Sequence, residues 1–127
     1  MFDLADDAIA EQPHRRIPLA PRPPDRRTLR EFVDTLVGRR DQPAVKAALD
    51  AWFDEVSKAQ WVSSADVKKL YATASIVNAE RIVFNIKGND YRLVVSADFE
   101  KAIVWIKWVG SHKAYDRIDV TEVEHGE

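Results

Sequence analysis

Apolar residues recur at helical spacing through the first half of the chain. A helix is predicted from Thr28, whose hydroxyl can cap the first turn, to Gly38, a residue that favours helix ends. Its apolar positions fall on one side: Leu29, Phe32, Val33, Leu36 and Val37. The pattern therefore indicates an amphipathic helix that packs against another element.

Two further helices are predicted. The second begins at Asp41, because proline is tolerated in a first helical turn and Pro43 stands there. Its apolar stripe consists of Val45, Leu49, Trp52, Phe53 and Val56. Ser63 and Asp66 have the spacing of a capping box, which predicts a short third helix ending near Tyr71. The two longer helices are expected to cover one side of the structure that follows.

Beyond the third helix the hydrophobic period changes from helical to alternating. Strands are predicted at 81–87, 91–97 and 102–109, which are rich in Val, Ile and aromatic residues and are joined by short polar turns. Helices followed by consecutive strands are typical of the α+β class. The predicted fold is therefore α+β, with N-terminal helices packed on a C-terminal antiparallel β-sheet.

The turns predict how the strands pair. Gly88 and Asn89 both tolerate positive φ, so a two-residue hairpin turn is expected there. The resulting pairs are Ile82 with Val95, Phe84 with Leu93, and Ile86 with Tyr91. These side chains all lie on one side of the sheet, because side chains alternate along a strand, and that side is predicted to be the core.

A second turn, over 98–101, pairs Ala97 with Ala102 and adds Val104, Ile106 and Trp108 to the apolar side. The opposite face then carries a row across three strands that consists of Asn85, Arg92 and Lys107, flanked by Val94 and Trp105. Two neighbouring cations on a sheet repel each other, so a bound anion is the simplest explanation of the row. The alternative is an ordinary solvated face.

The two ends of the chain differ from its middle. Residues 1–27 contain prolines at 18, 21, 23 and 24 and few large apolar groups, which predicts a proline-rich arm that is flexible or ordered by a partner. An edge strand over 16–19 is the alternative for part of it. Residues 28–120 are the predicted domain, and 121–127 are an acidic tail.

Charge is distributed unevenly behind a net charge of −2. Between residues 81 and 117 seven Lys or Arg face four Asp or Glu, an excess of +3. Beyond residue 117 the chain has no Lys or Arg, and its acids are Asp119, Glu122, Glu124 and Glu127. The basic charge of the predicted sheet is therefore compatible with a polyanionic partner, although the net charge of the whole chain is negative.

Several classes of protein are excluded or disfavoured by what the sequence lacks. No cysteine is present, so disulfides and thiolate metal sites are excluded. Three scattered histidines predict no metal site, and four glycines without a glycine-rich loop predict no phosphate-cradling cofactor motif. The acidic start of the chain fits neither a signal peptide nor a membrane span, so a cytoplasmic protein without cofactors is expected.

Two motifs resemble the HigB family of bacterial toxins. The hairpin 83–95 has the spacing Asn-x-x-Gly-Asn-x-x-Arg, and 109–116 has His-x-x-Tyr-Asp in the expected order. The helical residues 27–32, Ala51-Trp52 and Trp61 extend the resemblance to about residues 26–120. The chain departs from the family at its proline-rich arm, where members have a short strand before the first helix. That departure puts the edge of the sheet in doubt.

The resemblance implies a RelE-like fold and the toxin of a type II toxin-antitoxin system. Such a toxin acts as an mRNA interferase, a metal-independent endoribonuclease that cuts messenger RNA, here expected in the ribosomal A site. A HigA-like helix-turn-helix antitoxin is the expected inhibitor. No membrane partner is expected.

Metal-free RNA cleavage uses the 2′-hydroxyl of the RNA as nucleophile and needs proton transfer and a stabilised phosphate. Arg92 can grip two phosphate oxygens, and Lys107 can add a second positive charge. His112 can carry a proton near neutral pH, and Tyr115 can stack on a base or assist proton transfer. These four are the predicted catalytic residues, and their cationic groups are expected to converge over one phosphodiester.

The predicted RNA-binding residues are Asn85, Lys87, Asn89, Lys113 and Arg117. Each candidate also has an ordinary structural explanation: His112 can be a turn residue, Tyr115 a core residue and Asp116 a cap. Two other functions remain open on the same face. One is a non-catalytic module that binds RNA or the ribosome, and the other is a protein-interaction domain whose contact surface includes Trp105.

Overall fold

The computed structural model of the protein describes residues 3–4 and 23–124. Its helices are α1 (Pro23–Asp34), α2 (Gln42–Lys58), α3 (Ser64–Leu70) and α4 (His112–Tyr115). Its strands are β1 (Asp3–Leu4), β2 (Ser75–Ile76), β3 (Arg81–Ile86), β4 (Tyr91–Asp98) and β5 (Ile103–Ser111). The alternative edge strand at 16–19 lies outside the described residues.

The strands form one sheet in the order β1-β5-β4-β3-β2. Strands β2 to β5 are antiparallel, and β1 pairs in parallel with β5. The α+β prediction is confirmed. The edge that the sequence left in doubt is formed by Asp3–Leu4, from the start of the chain.

The first helix begins earlier than predicted. It starts at Pro23 and not at Thr28, which lies inside it. Prolines fix φ near the helical value and lack only an N–H that a first turn leaves without a partner, so Pro23-Pro24 can start a helix. The helix ends at Asp34, and Val37, predicted to face the core, is 77% exposed in the turn before Gly38.

The second and third helices agree with the sequence. Asp41 is the N-cap of α2, a proline stands in its first turn, and its entire predicted apolar stripe is buried. Ser63 is the N-cap of α3, and the Asp66 carboxylate accepts a hydrogen bond from the backbone N–H of Val62 at 2.9 Å. Ser63 makes no side-chain capping hydrogen bond, so the predicted capping box is not formed, although the helix begins where the pattern predicted.

Aromatic rings form the centre of the core between the helices and the sheet. Phe84 of β3 is 1% exposed. Its ring lies 5.4 Å from that of Trp52, 6.4 Å from that of Trp61 and 5.0 Å from that of Tyr71, between centroids. One strand residue therefore contacts α2, the loop before α3 and the residue directly after α3.

The β3–β4 register is the predicted one. Ile82 pairs with Val95, Phe84 with Leu93 and Ile86 with Tyr91. Within the turn, however, positive φ falls on Lys87 (52°) and Gly88 (64°), and not on Asn89.

The β4–β5 register differs from the prediction. Ala97 pairs with Val104, and Ala102, at φ 56°, belongs to the turn. Val95 then pairs with Ile106 and Val94 with Trp108, so Lys107 is the extra residue of a β-bulge. Beyond the bulge the faces exchange: Val109 joins the core and Trp108 lies on the opposite face.

The predicted row of Asn85, Arg92 and Lys107 is therefore wrong at its last member. Asn85 pairs with Arg92, as expected, but Arg92 pairs with Gly110 on β5. The alternation of apolar and polar residues could not reveal the bulge, because an extra residue is defined only by the strand that pairs with it.

A buried tyrosine connects the start of α2 to the start of β4. The Tyr91 hydroxyl donates a hydrogen bond to Asp41 Oδ2 at 2.6 Å, and Arg39 Nε donates to Oδ1 at 3.1 Å. The hydrogen bond from Tyr91, followed by that from Arg39, lowers the pKa of Asp41. The carboxylate form of Asp41 is thus the form that the fold favours.

Replacing Phe84 by alanine should lower the free energy of unfolding by about 3–5 kcal/mol, because it removes a buried ring and leaves a cavity. Urea unfolding measures the difference. The control is Val62→Ala, at an apolar residue that is 77% exposed, where a change within about 0.5 kcal/mol is expected. Equal losses in the two variants would contradict the core described here.

Stability should fall in acid partly through Asp41. Its folded pKa lies below its unfolded value, so its contribution is present above the unfolded pKa and is lost as pH falls through the folded pKa. Tyr91→Phe removes the largest cause of the shift. The loss of unfolding free energy between about pH 5 and pH 2 should be smaller in the variant, as measured by urea titrations at each pH. An unchanged loss would contradict this role.

Candidate functional site

Arg92 lies on the outer face of the sheet, the face opposite the α1–α2 layer, and is half-buried. Its Nη1 donates to the carbonyl oxygens of Asn89 and Tyr91, at 3.0 and 3.3 Å. Its Nη2 donates to Asn89 Oδ1 at 2.8 Å. A guanidinium has five N–H groups, so within the described part of the chain these three bonds leave two for an anion.

The short helix α4 brings Tyr115 to Arg92. The Arg92 guanidinium lies 5.8 Å from the centroid of the Tyr115 ring, a cation–π contact. Ser111 ends β5 and caps α4, since its Oγ accepts a hydrogen bond from the Ala114 N–H at 3.1 Å. The position of Tyr115 therefore follows from a strand that turns directly into a helix.

His112 is the first residue of α4, and its side chain is 44% exposed. Its backbone N–H donates to the Asp90 carbonyl at 2.9 Å, and its Nε2 lies 3.9 Å from Asp116 Oδ1. The β3–β4 turn, residues 87–90, thus contacts two candidates at once. Asn89 holds the Arg92 side chain, and Asp90 holds the His112 backbone.

Trp108 belongs to this group although the sequence placed it in the core. Its ring centroid lies 6.3 Å from that of Tyr115, and the two ring planes are inclined at 51°. The sequence missed it because the bulge at Lys107 reverses its face. Arg92, Tyr115 and Trp108, which we call the outer-face cluster, contact one another in that order.

Lys107 is not part of the outer-face cluster. Its Nζ donates to Glu124 Oε1 at 3.0 Å, and both side chains are half-buried. Lys107 was predicted to converge with Arg92 and His112 over one phosphodiester, and for Lys107 that prediction is wrong. Lys107 sits at the bulge, and its charge is matched by an acid from the C-terminal end.

The C-terminal segment, residues 118–124, lies across part of the outer face. Arg81 Nη1 donates to the carbonyls of Val120 and Val123, at 3.5 and 2.9 Å. Val83 and Val94, which also point to this face, are 2% and 0% exposed. The outer face is thus exposed to solvent only in part. Neither the predicted anion-binding row nor the alternative of a fully solvated face anticipated this.

The predicted RNA-binding residues fall into two groups. Asn85 pairs with Arg92, and Lys87 donates to Asp90 Oδ2 at 2.9 Å, a bond that is the main cause of its raised pKa. Lys113 and Arg117 are exposed in α4 and directly after it. Their charges therefore border the outer-face cluster along the chain.

Glu124 and Asp90 were also missed as residues that shape this face. Nothing local in the sequence connects Glu124 to Lys107, seventeen positions earlier. From the sequence, Asp90 could be assigned only to the β3–β4 turn, and its contact with the His112 backbone could not be predicted. Among the described residues, no group of three or more His, Asp or Glu side chains is arranged to hold a metal ion.

A match to a known protein family includes most of the residues of this site. A family profile described as HigB toxin, the RelE-like toxic component of a toxin-antitoxin system, matches residues 45–118, more than half of the chain. The chain belongs to the HigB toxin family. A search of curated proteins found no significant match.

The match extends from α2 to just beyond α4, so it includes Arg92, His112 and Tyr115. Helices followed by an antiparallel sheet agree with the RelE-like fold expected of a HigB toxin. No helix in the described ranges is long and apolar enough to cross a bilayer. Most of the C-terminal segment lies beyond the matched residues.

Arg81 should hold the C-terminal segment on the sheet. Arg81→Met keeps most of the side-chain volume and removes the hydrogen bonds to Val120 and Val123, so a loss of about 1.5–3 kcal/mol in unfolding free energy is expected. Urea unfolding measures it, with faster amide exchange at 118–124 as the local readout. The exposed Arg117→Met is the matched control and should change little. Equal effects of the two variants would show that Arg81 has no such role.

Proposed function

We propose that this HigB-family toxin is a metal-independent endoribonuclease that cuts messenger RNA. The observation that carries the proposal is the contact of Arg92 with Tyr115 in the same short helix that begins with the half-exposed His112. All three lie in the part of the chain that matches the family profile. The cation thus contacts the aromatic ring, and the proton carrier stands three residues before that ring in the same short helix.

Arg92 would bind the scissile phosphate. Two of its N–H groups remain after its bonds to Asn89 and Tyr91, and a planar guanidinium can give two parallel hydrogen bonds to phosphate oxygens. Negative charge grows on those oxygens when the 2′-oxygen attacks phosphorus, so a cation already fixed by Asn89 lowers the barrier.

His112 would move the proton of the reaction. The 2′-oxygen forms a bond to phosphorus and loses its proton, while the 5′-oxygen leaves and takes one up. The imidazole of His112 is open to solvent and faces a carboxylate at 3.9 Å. Tyr115 would stack on a base or assist this proton transfer.

Exposed cations beside the cluster would bind the RNA backbone. Lys113 and Arg117 lie along α4 and after it, and Asn85 and Asn89 border Arg92. Lys87 would contribute a weaker contact, since Asp90 already neutralises its ammonium. Lys107 is left out of the RNA site because it pairs with Glu124.

A toxin of this class requires a cognate antitoxin. We propose a HigA-like helix-turn-helix protein as that partner, and messenger RNA in the ribosomal A site as the substrate, in the cytoplasm. Family membership supports the toxin role. The excess of +3 charge between residues 81 and 117 supports an RNA ligand.

The test is induced expression followed by mapping of messenger RNA ends. New ends are expected with the wild type, and at least a hundredfold fewer, roughly, with Arg92→Ala and with His112→Ala, since each removes a group needed in the transition state. Arg92→Lys keeps the charge without the planar fork and should recover only a part. Lys46→Ala, on the opposite side of the molecule in α2, is the charge-loss control.

Circular dichroism of each purified variant checks that the fold is kept. A folded His112→Ala protein that still produces new ends would contradict the proposed proton carrier. No new ends with the wild type, together with RNA binding that depends on Arg92 alone, would instead identify a non-catalytic RNA-binding module. Indifference of both activities to Arg92 and His112 would favour a protein-interaction domain.

A further inference from the structure

The indole of Trp108 occupies the place that a side chain at position 110 would take. A Cβ built on Gly110 would stand 2.4 Å from Trp108 Cη2 and 2.6 Å from Cζ2. Carbon atoms that are not bonded do not approach so closely, so only glycine at 110 admits the indole in this position. Glycine weakens a strand interior, and the position of the ring explains its presence here.

The same ring extends a continuous group of side chains on the outer face. Arg92 pairs with Gly110 and Val94 with Trp108, so the guanidinium and the indole start from diagonal positions on neighbouring strands. Tyr115 lies between them, 5.8 Å from the guanidinium and 6.3 Å from the indole. Diagonal positions on paired strands lie about 7–8 Å apart, so one nucleotide can reach both side chains.

The side chains of the outer-face cluster are exposed enough to contact a ligand. Arg92, Tyr115 and Trp108 are each half-buried, whereas Val83 and Val94 on the same face are buried. Because the Trp108 and Tyr115 rings are inclined at 51°, a base stacked parallel to the indole would be inclined to the tyrosine ring by the same angle.

We propose that Trp108 is a base-binding residue, and that the nucleotide whose phosphate binds Arg92 stacks its base on the Trp108 indole. This inference rests on the proposed function for its choice of single-stranded RNA as the ligand. Every base offers a π-face, so the contact accepts all four bases and selects unpaired RNA over a duplex, whose bases are already stacked. Gly110 is the residue that makes the contact possible.

A purely structural role has a different consequence. An aromatic ring over a strand glycine can shield the strand and affect stability alone. A shielding ring would not distinguish an oligonucleotide that carries bases from one that lacks them. That distinction is therefore the quantity to measure.

The experiment compares two end-labelled single-stranded probes of about eight nucleotides by fluorescence anisotropy. One is 2′-O-methyl oligoadenylate, which lacks the free 2′-hydroxyl needed for cleavage, and the other is its abasic analogue with the same number of phosphates. Wild-type protein is expected to bind the first roughly tenfold or more tightly than the second. Trp108→Leu should bind both equally, with little change in affinity for the abasic probe.

Three further variants sharpen the result. Trp105→Leu removes a second half-buried tryptophan from the outer face of the same strand and should keep the wild-type preference. Gly110→Ala should lose the preference because the new methyl group displaces the indole. Trp108→Phe keeps a smaller ring, should show an intermediate preference, and replaces the leucine variant if that protein does not fold.

The inference is overturned if Trp108→Leu, or Trp108→Phe in its place, keeps the full preference for the base-bearing probe. It is also overturned if the wild type binds the two probes equally or binds neither. Failure of the proposed function is separate, because the probes cannot be cut. If the wild type prefers the base-bearing probe through Trp108 but produces no new messenger RNA ends, the base-binding inference stands and the proposed nuclease function fails.

Discussion

The β-bulge at Lys107 determines which side chains of β5 belong to the core and which to the outer face. Before the bulge, Val104 and Ile106 face the helices, and beyond it Val109 does so. The one extra residue turns Trp108 outward beside Tyr115 and places Gly110, without a side chain, opposite Arg92. Without the bulge the indole would point to the core, and the outer-face cluster would not form. Bulges commonly redirect side chains next to functional sites.

The β3–β4 turn supports the same cluster from the other side. Asn89 holds the Arg92 guanidinium through its side chain and its carbonyl, and the Asp90 carbonyl holds the first residue of α4. The strands that flank this turn begin and end on buried residues, Ile86 and Tyr91, and Tyr91 is bonded to the start of α2. The side chains proposed to act on RNA are therefore supported by a hairpin that is bonded to the helical layer. Such support is what a preorganised electrostatic site requires.

The C-terminal segment is held on the outer face by Arg81 and Lys107. Val83 and Val94 on this face are closed to solvent. The same face carries the half-buried Arg92, Tyr115 and Trp108, with Lys113 and Arg117 next to Tyr115 in the chain. Glu124 thus pairs with two cations of the sheet, Arg81 and Lys107. Arg92, Lys113 and Arg117 lie outside these two pairs and are the cations proposed to bind RNA.

Local patterns determined much of this protein. The apolar stripe of α2 and the starts of α2 and α3 followed from local spacing, and the β3–β4 register followed from the Gly88-Asn89 turn. Two short motifs carried the family resemblance. The bulge at Lys107 and the pairing of Lys107 with Glu124 were decided by tertiary structure. Periodicity reports how side chains alternate along one strand or helix. It carries no information on an extra residue that exists only relative to a neighbouring strand, or on an ion pair between distant segments, since both depend on how the chain packs against itself.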